Sequence, residues 1–146
     1  MSLIIVDCEA PFGKGSPAVA DMTQFGAVEL KSKIFFHGLD CSKQTFDLFK
    51  DWLKQFKPPY VFISDNPAFD WQWINFYFWK YYGENPFGHS ARRIGDFYAG
   101  LKQDFSSTQK WKRYRKTKHT HNPVDDAMGN AEALEKLLYT SIDDII

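Results

Sequence analysis

The residues most able to do chemistry near the start of this chain are two carboxylates that follow an apolar run. The run Leu3–Val6 predicts a buried strand, and it leads directly into Asp7-Cys8-Glu9. Because side chains alternate across a strand, Asp7 and Glu9 share one face and lie ~6.5–7 Å apart. Two like charges held that close are costly unless a cation neutralises them, and Mg²⁺ or Mn²⁺ prefers carboxylate oxygen. Taken alone, the pattern is more simply explained as a strand that runs into an acidic turn.

Two later segments each place an aspartate at the start of a predicted helix. Residues 66–70 read NPAFD and residues 122–126 read NPVDD, so each has Asn and Pro before Asp70 or Asp126. Asn is a strong N-cap, Pro suits the first helical position, and the helix dipole favours a carboxylate in the first turn. For either segment alone, a well-capped helix is the simpler interpretation.

Two histidines precede the second of these helices. His121 lies five residues before Asp126, and an imidazole titrates near neutral pH, so it is a candidate for proton transfer. His119 and His121 also form a His-x-His pair, which is a zinc-ligand pattern. Cys8 should point to the opposite face of its strand from Asp7 and Glu9, so no further soft ligands gather near the histidines.

Composition restricts the class of protein. The 146 residues suffice for one domain, with 44% hydrophobic, 25% charged and 18% aromatic residues. The sequence contains neither an apolar run of the ~20 residues that span a bilayer nor a recognisable signal peptide, and its two cysteines favour a reducing, cytoplasmic compartment.

The net charge is zero, but the charge is unevenly distributed. Residues 102–121 carry seven basic and one acidic side chain, a net +6, whereas residues 122–146 carry one basic and six acidic, a net −5. A basic segment beside an acidic one suggests a phosphate-binding surface next to a metal site.

The hydrophobic pattern predicts strands and helices that position these residues. A strand over Leu3–Glu9 is expected to continue into an antiparallel meander with strands at 22–30 and 34–37. Phe46, Phe49, Leu53 and Phe56 recur at helical spacing after Ser42, and the strand Tyr60–Ser64 should run parallel to the first strand because a helix joins them. Residues 65–70 are predicted to open a helix that continues to about Tyr82 and stops at Gly83. A short edge strand is expected at 92–95, a helix at 96–103, and helix or loop at 106–118. The last prediction is a helix from Asn122 to about Tyr139 with an apolar stripe at Ala127, Ala131, Leu134 and Leu138.

Together the three motifs resemble those of the DEDDh 3′–5′ exonucleases, the superfamily of the polymerase proofreading subunit, RNase T and oligoribonuclease. Asp7-Cys8-Glu9, residues 66–70 and residues 121–126 (HNPVDD) occur in the right order, at a strand end and two helix starts. The resemblance implies a ribonuclease H-like three-layer α/β fold over a single domain, residues 1–146, with a mixed five-stranded sheet flanked by helices. The short chain and its Phe25–Val28 strand look most like the compact exoribonuclease branches.

The resemblance also implies residue roles. His121 becomes the general base for the attacking water, and Asp125 is a neighbouring acid rather than a ligand. Four carboxylates become ligands of two Mg²⁺ or Mn²⁺ ions: Asp7, Glu9, Asp70 and Asp126. Two such ions, ~3.5–4 Å apart, can clamp a scissile phosphate while one activates water and the other stabilises the leaving 3′-oxygen. The expected activity is hydrolysis from the 3′ end of RNA or single-stranded DNA, releasing nucleoside 5′-monophosphates.

Substrate contacts are predicted around these motifs. Many relatives place Thr or Ser shortly after the Glu, whereas Ala10-Pro11-Phe12 stands here, so Phe12 is a candidate for stacking on a base. The basic segment supplies candidates for phosphate contact and base stacking: Lys110, Trp111, Lys112, Arg113, Tyr114, Arg115, Lys116 and Lys118. The expected partner is single-stranded or 3′-overhanging nucleic acid, RNA favoured, without a membrane, and the surplus aromatic residues fit a homodimer. Two alternatives stay open, a non-catalytic nucleic-acid-binding module on the same fold and a His-x-His zinc hydrolase.

Overall fold

A mixed five-stranded sheet forms the centre of the protein, in a computed structural model that describes residues 1–145. The strands are β1 (Ser2–Glu9), β2 (Gln24–Glu29), β3 (Phe35–Gly38), β4 (Tyr60–Ser64) and β5 (Ala91–Arg93). Their order is β3-β2-β1-β4-β5; the first three form an antiparallel meander, and β4 and β5 run parallel to β1. The predicted fold class is confirmed.

Helices cover both faces of the sheet. They are α1 (Lys43–Leu53), α2 (Pro67–Tyr82), α3 (Ile94–Lys102), a 3₁₀ helix (Lys110–Tyr114), α4 (Pro123–Tyr139) and a final turn, α5 (Ile142–Ile145). One buried cluster joins α1 and α2 to the sheet, and a second joins α3, the 3₁₀ helix and α4 to the opposite face. Within the range 1–145, no helix is both long and apolar enough to cross a membrane.

Local sequence signals account for several helix ends. The Ser42 side chain accepts a hydrogen bond from Thr45 N–H at the start of α1, as an N-cap does. The Asn122 side chain likewise accepts from Val124 N–H at the start of α4. Gly83 ends α2 in the left-handed conformation, with φ of 67°.

Some details differ from the sequence prediction. Leu138 was assigned to the apolar stripe of α4, but its side chain is exposed and Leu137 is buried instead. The buried face of α4 runs through Asn130 and Leu137, seven residues and about two turns apart, and Leu138 lies about 100° further around the helix. The helix expected at 96–103 begins at Ile94, directly after β5.

The aromatic residues of α2 fall into two groups. Trp73, Tyr77 and Phe78 are buried in the core beneath the sheet, which explains most of the aromatic surplus as packing. Phe76 and Trp79 remain exposed, at 39% and 48% of their surface.

Candidate active site

The end of β1 brings together three carboxylates from two distant segments of the sequence. Alternate residues Ile4, Val6 and Cys8 pack into the α1–α2 cluster, so Asp7 and Glu9 project toward the face that α4 covers. Asp7, Glu9 and Asp126 each offer an oxygen, and these oxygens all lie within 4.8 Å of one another. The predicted convergence of the first and third motifs is therefore present.

Gly26 on β2 allows α4 to approach closely enough for this convergence. Gly26 pairs with Asp7 across the β1–β2 ladder. A Cβ atom placed on Gly26 would lie 2.5 Å from the carbonyl carbon and oxygen of Pro123, the first residue of α4. Only a residue without a side chain fits at this contact, and the contact fixes the height of Asp126 over the sheet.

Asp70 reaches the same strand end from α2. Its Oδ1 accepts a hydrogen bond from Cys8 N–H at 2.9 Å, and its side chain is buried. The β1–β4 pairing ends at Ile5 opposite Ile63, and beyond it the Asp70 carboxylate accepts the hydrogen bond from Cys8 N–H. Asp70 is outside the tight group of three oxygens, yet its charge is the second-largest cause, after burial, of the raised pKa of Asp7.

Electrostatic repulsion at this strand end is strong. Burial, followed by the charges of Asp70, Glu9 and Asp126, raises the pKa of Asp7 to about 10. Burial raises the pKa of Asp70 to about 7, against a hydrogen bond from Cys8 N–H that acts in the opposite direction. Burial also raises the pKa of Glu9, while a hydrogen bond shared with Asp7 lowers it.

Two oxygens in this group suit a cation. Asp7 Oδ2 and Asp126 Oδ2 are buried and accept no hydrogen bond from any described residue. An unpartnered buried carboxylate oxygen is costly, and a hard divalent cation bound between such oxygens would remove that cost. The residues present therefore fit a divalent metal.

The predicted general base lies in a strained loop before α4. His121 is exposed and has a φ of 66°, an uncommon conformation for a residue with a side chain. Its ring packs against that of His119, with centroids 4.4 Å apart, and His119 Nδ1 lies 2.8 Å from Asp126, so the imidazole lies near the carboxylates. Asp125, expected to be a neighbouring acid, accepts a hydrogen bond from Thr120 Oγ1 at 2.8 Å.

The residue that contacts the carboxylates most closely in this loop is His119, to which the sequence assigned no role in phosphodiester chemistry. His119 Nδ1 lies 2.8 Å from Asp126 Oδ1, and the rings of His119 and His121 pack edge to face with centroids 4.4 Å apart. The only sequence signal was the His-x-His spacing, which had indicated a zinc pair. In the structure one nitrogen of that pair faces Asp126, and Cys8 is buried on the other face of the sheet.

Phe12 stands at an open cavity beside Glu9. The cavity has a volume of about 340 Å³, and the loop after β1 and Phe69 line it. The Phe12 side chain is fully exposed at 104% of its reference surface, so its ring is free to contact a ligand there.

The basic segment is only partly available for binding. Trp111 was predicted to stack a base, and this is wrong: its side chain is completely buried against α3 and α4, and its indole N–H donates to Thr108 O at 2.9 Å. The tryptophan is needed to fill the space between these helices. Tyr114 is half-buried and its hydroxyl accepts a hydrogen bond from Arg113.

The remaining cations of the segment differ in their partners. Arg115 donates to Asn130 Oδ1 on α4, and Lys112 Nζ lies 2.9 Å from Asp65 Oδ2. Because Asp65 directly follows β4, this ion pair brings the basic segment to the edge of the carboxylate group. Lys110, Lys116 and Lys118 are exposed, and no carboxylate in the described part of the chain lies within 4.0 Å of their ammonium groups.

The three-layer fold and the carboxylate group can be compared with those of known proteins. A search of protein-family models finds no match. The chain is 32% identical over 94 residues to the 3′-5′ DNA exonuclease Cap18 of Escherichia coli, a match that covers 62% of this chain and 48% of that protein. The chain thus spans about half the length of this curated relative.

A solved structure extends the similarity to nearly the whole domain. The nuclease domain of 3′hExo, a DEDDh family member bound to rAMP, superposes with a TM-score of 0.73 at 16% identity and covers 95% of this chain and 92% of that one. The three-layer α/β fold that the motifs predicted is thus shared with that nuclease domain.

Proposed function

We propose that this protein is a metal-dependent 3′–5′ exonuclease that hydrolyses single-stranded nucleic acid. The observation that carries the proposal is the meeting of Asp7, Glu9 and Asp126 at the end of β1, with Asp70 bound to the same strand end. Four acidic groups from three distant segments crowd together there, at an electrostatic cost that raises the pKa values of three of them. The fold of a DEDDh nuclease domain supports the same reading.

The chemistry divides between the carboxylates and one histidine. Divalent cations, Mg²⁺ or Mn²⁺, held by the carboxylates would supply the Lewis acidity that phosphodiester hydrolysis requires. Asp7 and Asp126 present unpartnered oxygens for this purpose, Glu9 completes the tight group, and Asp70 approaches from the side of α2. His121, which packs against His119 near Asp126 and is open to solvent, takes the proton of the attacking water.

The substrate enters at the cavity next to Glu9. Phe12 and Phe69 offer aromatic surface for the terminal base there. Lys110, Lys116 and Lys118 provide free charge for the phosphates of the strand, and Lys112 links this basic segment to the site through Asp65.

The preference for RNA or DNA as substrate has to be tested with both nucleic acids. The resemblance to compact exoribonucleases favours RNA, and the 3′hExo domain was crystallised with rAMP, whereas the relative from Escherichia coli is named as a DNA exonuclease. We take RNA as the preferred substrate in the proposal.

The experiment is a time course on matched RNA and DNA single strands labelled at either end, with Mg²⁺, Mn²⁺ or EDTA. A 3′–5′ exonuclease shortens 5′-labelled strands one nucleotide at a time and releases labelled mononucleotide from 3′-labelled strands at the earliest times. The Asp7→Ala variant, which loses a central carboxylate, should be inactive on all strands.

Other results would point elsewhere. Internal fragments from both labels would contradict exonucleolytic action. Binding without hydrolysis in either metal would favour the non-catalytic binding module, and inhibition by a zinc-selective chelator with no response to Mg²⁺ would favour the zinc hydrolase. Faster hydrolysis of the DNA strand would overturn the RNA preference alone.

A further inference from the structure

We propose that His119 is a positioning residue that orients Asp126 for metal binding. This inference rests on the proposed function, and it concerns a residue outside the motifs. The two oxygens of Asp126 have different surroundings: Oδ1 is contacted by His119, and Oδ2 is buried without a partner.

The contacts to Oδ1 hold the carboxylate from two sides. His119 Nδ1 lies 2.8 Å away, and Thr120 N–H donates to the same oxygen at 3.1 Å. A carboxylate oxygen that already accepts a backbone N–H is an acceptor, so the neutral His119 ring carries its proton on Nδ1 and donates it. With Oδ1 held by two donors, rotation of the carboxylate is restricted, and Oδ2 keeps its buried position without a partner.

Carboxylates that bind metal ions are commonly held by such hydrogen bonds from neighbouring residues. Partners that hydrogen-bond the outer atom of a ligand fix its orientation, and their loss typically lowers metal affinity 10–100-fold. Here the side chain of Asp126 is 2% exposed and that of His119 is 50% exposed, so the histidine contacts the buried carboxylate from the solvent side.

The same ring also supports the predicted general base. The His119 and His121 rings meet edge to face with centroids 4.4 Å apart, and the intervening Thr120 is tied to both aspartates of the motif. His121 has a left-handed backbone, which is unfavourable unless its neighbours hold it. His119 thus connects Asp126 to the loop that presents His121.

The test measures Mn²⁺ affinity by isothermal titration calorimetry, without nucleic acid. His119→Ala should weaken Mn²⁺ binding about tenfold or more. His119→Asn should retain most of the affinity, because its amide nitrogen reaches about the same place as Nδ1, whereas His119→Gln, which extends its amide further, should not. His89→Ala, an exposed histidine on another loop, serves as the matched control and should bind Mn²⁺ as wild type does.

Two results would overturn the inference. One is unchanged Mn²⁺ affinity in a folded His119→Ala protein, checked by circular dichroism. The other is an affinity for His119→Asn as low as that for His119→Ala, since the donor at Nδ1 would then be irrelevant. Hydrolysis assayed in parallel separates the two proposals: wild type that binds Mn²⁺ but cleaves no strand refutes the exonuclease while leaving this test intact.

Discussion

Replacing Asp7 by Asn should remove much of the pH dependence of stability in the absence of metal. Asp7 is half-buried beside Asp70, Glu9 and Asp126, and its pKa in the folded protein is raised to about 10. In the unfolded chain the same carboxyl titrates near 3.9. Folding between these two pH values therefore requires Asp7 to take up a proton.

The sign and size of the effect follow from linkage. A group whose folded pKa is raised contributes stability that is fully present below its unfolded pKa and is lost as pH rises toward the folded pKa. Each pH unit in that window lowers the free energy of unfolding by about 1.4 kcal/mol per proton. Asp7 should thus account for a loss of about 2.7 kcal/mol between pH 5 and pH 7, a large share of a typical stability of 5–15 kcal/mol.

The assay is urea denaturation in EDTA at pH 5, 6 and 7 for wild type and Asp7→Asn. The variant should show a slope smaller by about 1.4 kcal/mol per pH unit, because an amide does not titrate but still donates a hydrogen bond toward Glu9. Asp51→Asn, which alters an exposed aspartate on α1, is the matched control and should follow wild type. Parallel slopes for wild type and Asp7→Asn would refute the reasoning about crowded carboxylates.

Four further outcomes are expected. His121→Ala should reduce turnover severely while leaving Mn²⁺ affinity unchanged by calorimetry, and a near-wild-type rate would remove His121 from the mechanism. Gly26→Ala should lower both stability and Mn²⁺ affinity because its Cβ would collide with Pro123, whereas Gly100→Ala, with open space around it, should do neither; equal behaviour of the two would contradict the role of close approach. Trp111→Ala should destabilise the fold by about 3–5 kcal/mol in urea denaturation, as loss of a buried aromatic side chain does; an unchanged midpoint with weaker binding would restore its predicted stacking role. Affinity for a single strand, measured by fluorescence anisotropy, should fall steeply as salt rises, and a flat dependence would exclude phosphate contact.

The sequence predicted the fold well where local patterns carry the information. The apolar run before Asp7 marked the central strand, its alternation put Cys8 on the opposite face, and capping residues such as Ser42 located helix starts. The motifs also predicted that Asp126 lies at the end of β1, where the structure has it. These features depend on spacing within a segment, which a sequence displays directly.

What the sequence could not supply depends on packing between segments. Nothing in the run of basic residues around Trp111 distinguishes a buried indole from an exposed one until α3 and α4 are placed beside it. The contact of His119 with Asp126 likewise depends on the path of the loop before α4. The close approach of Gly26 to Pro123 depends on how α4 packs on β2. The motifs predicted Asp70 at the strand end, but nothing in the sequence indicated the hydrogen bond from Cys8 N–H to its carboxylate.

The most direct test of the account is diffraction from crystals grown with Mn²⁺, using the anomalous signal of manganese to locate the ions. We expect two peaks, about 3.5–4 Å apart, in the space bounded by Asp7, Glu9 and Asp126. Absence of manganese from this space at saturating concentration would contradict the claim that these carboxylates form a divalent-metal site.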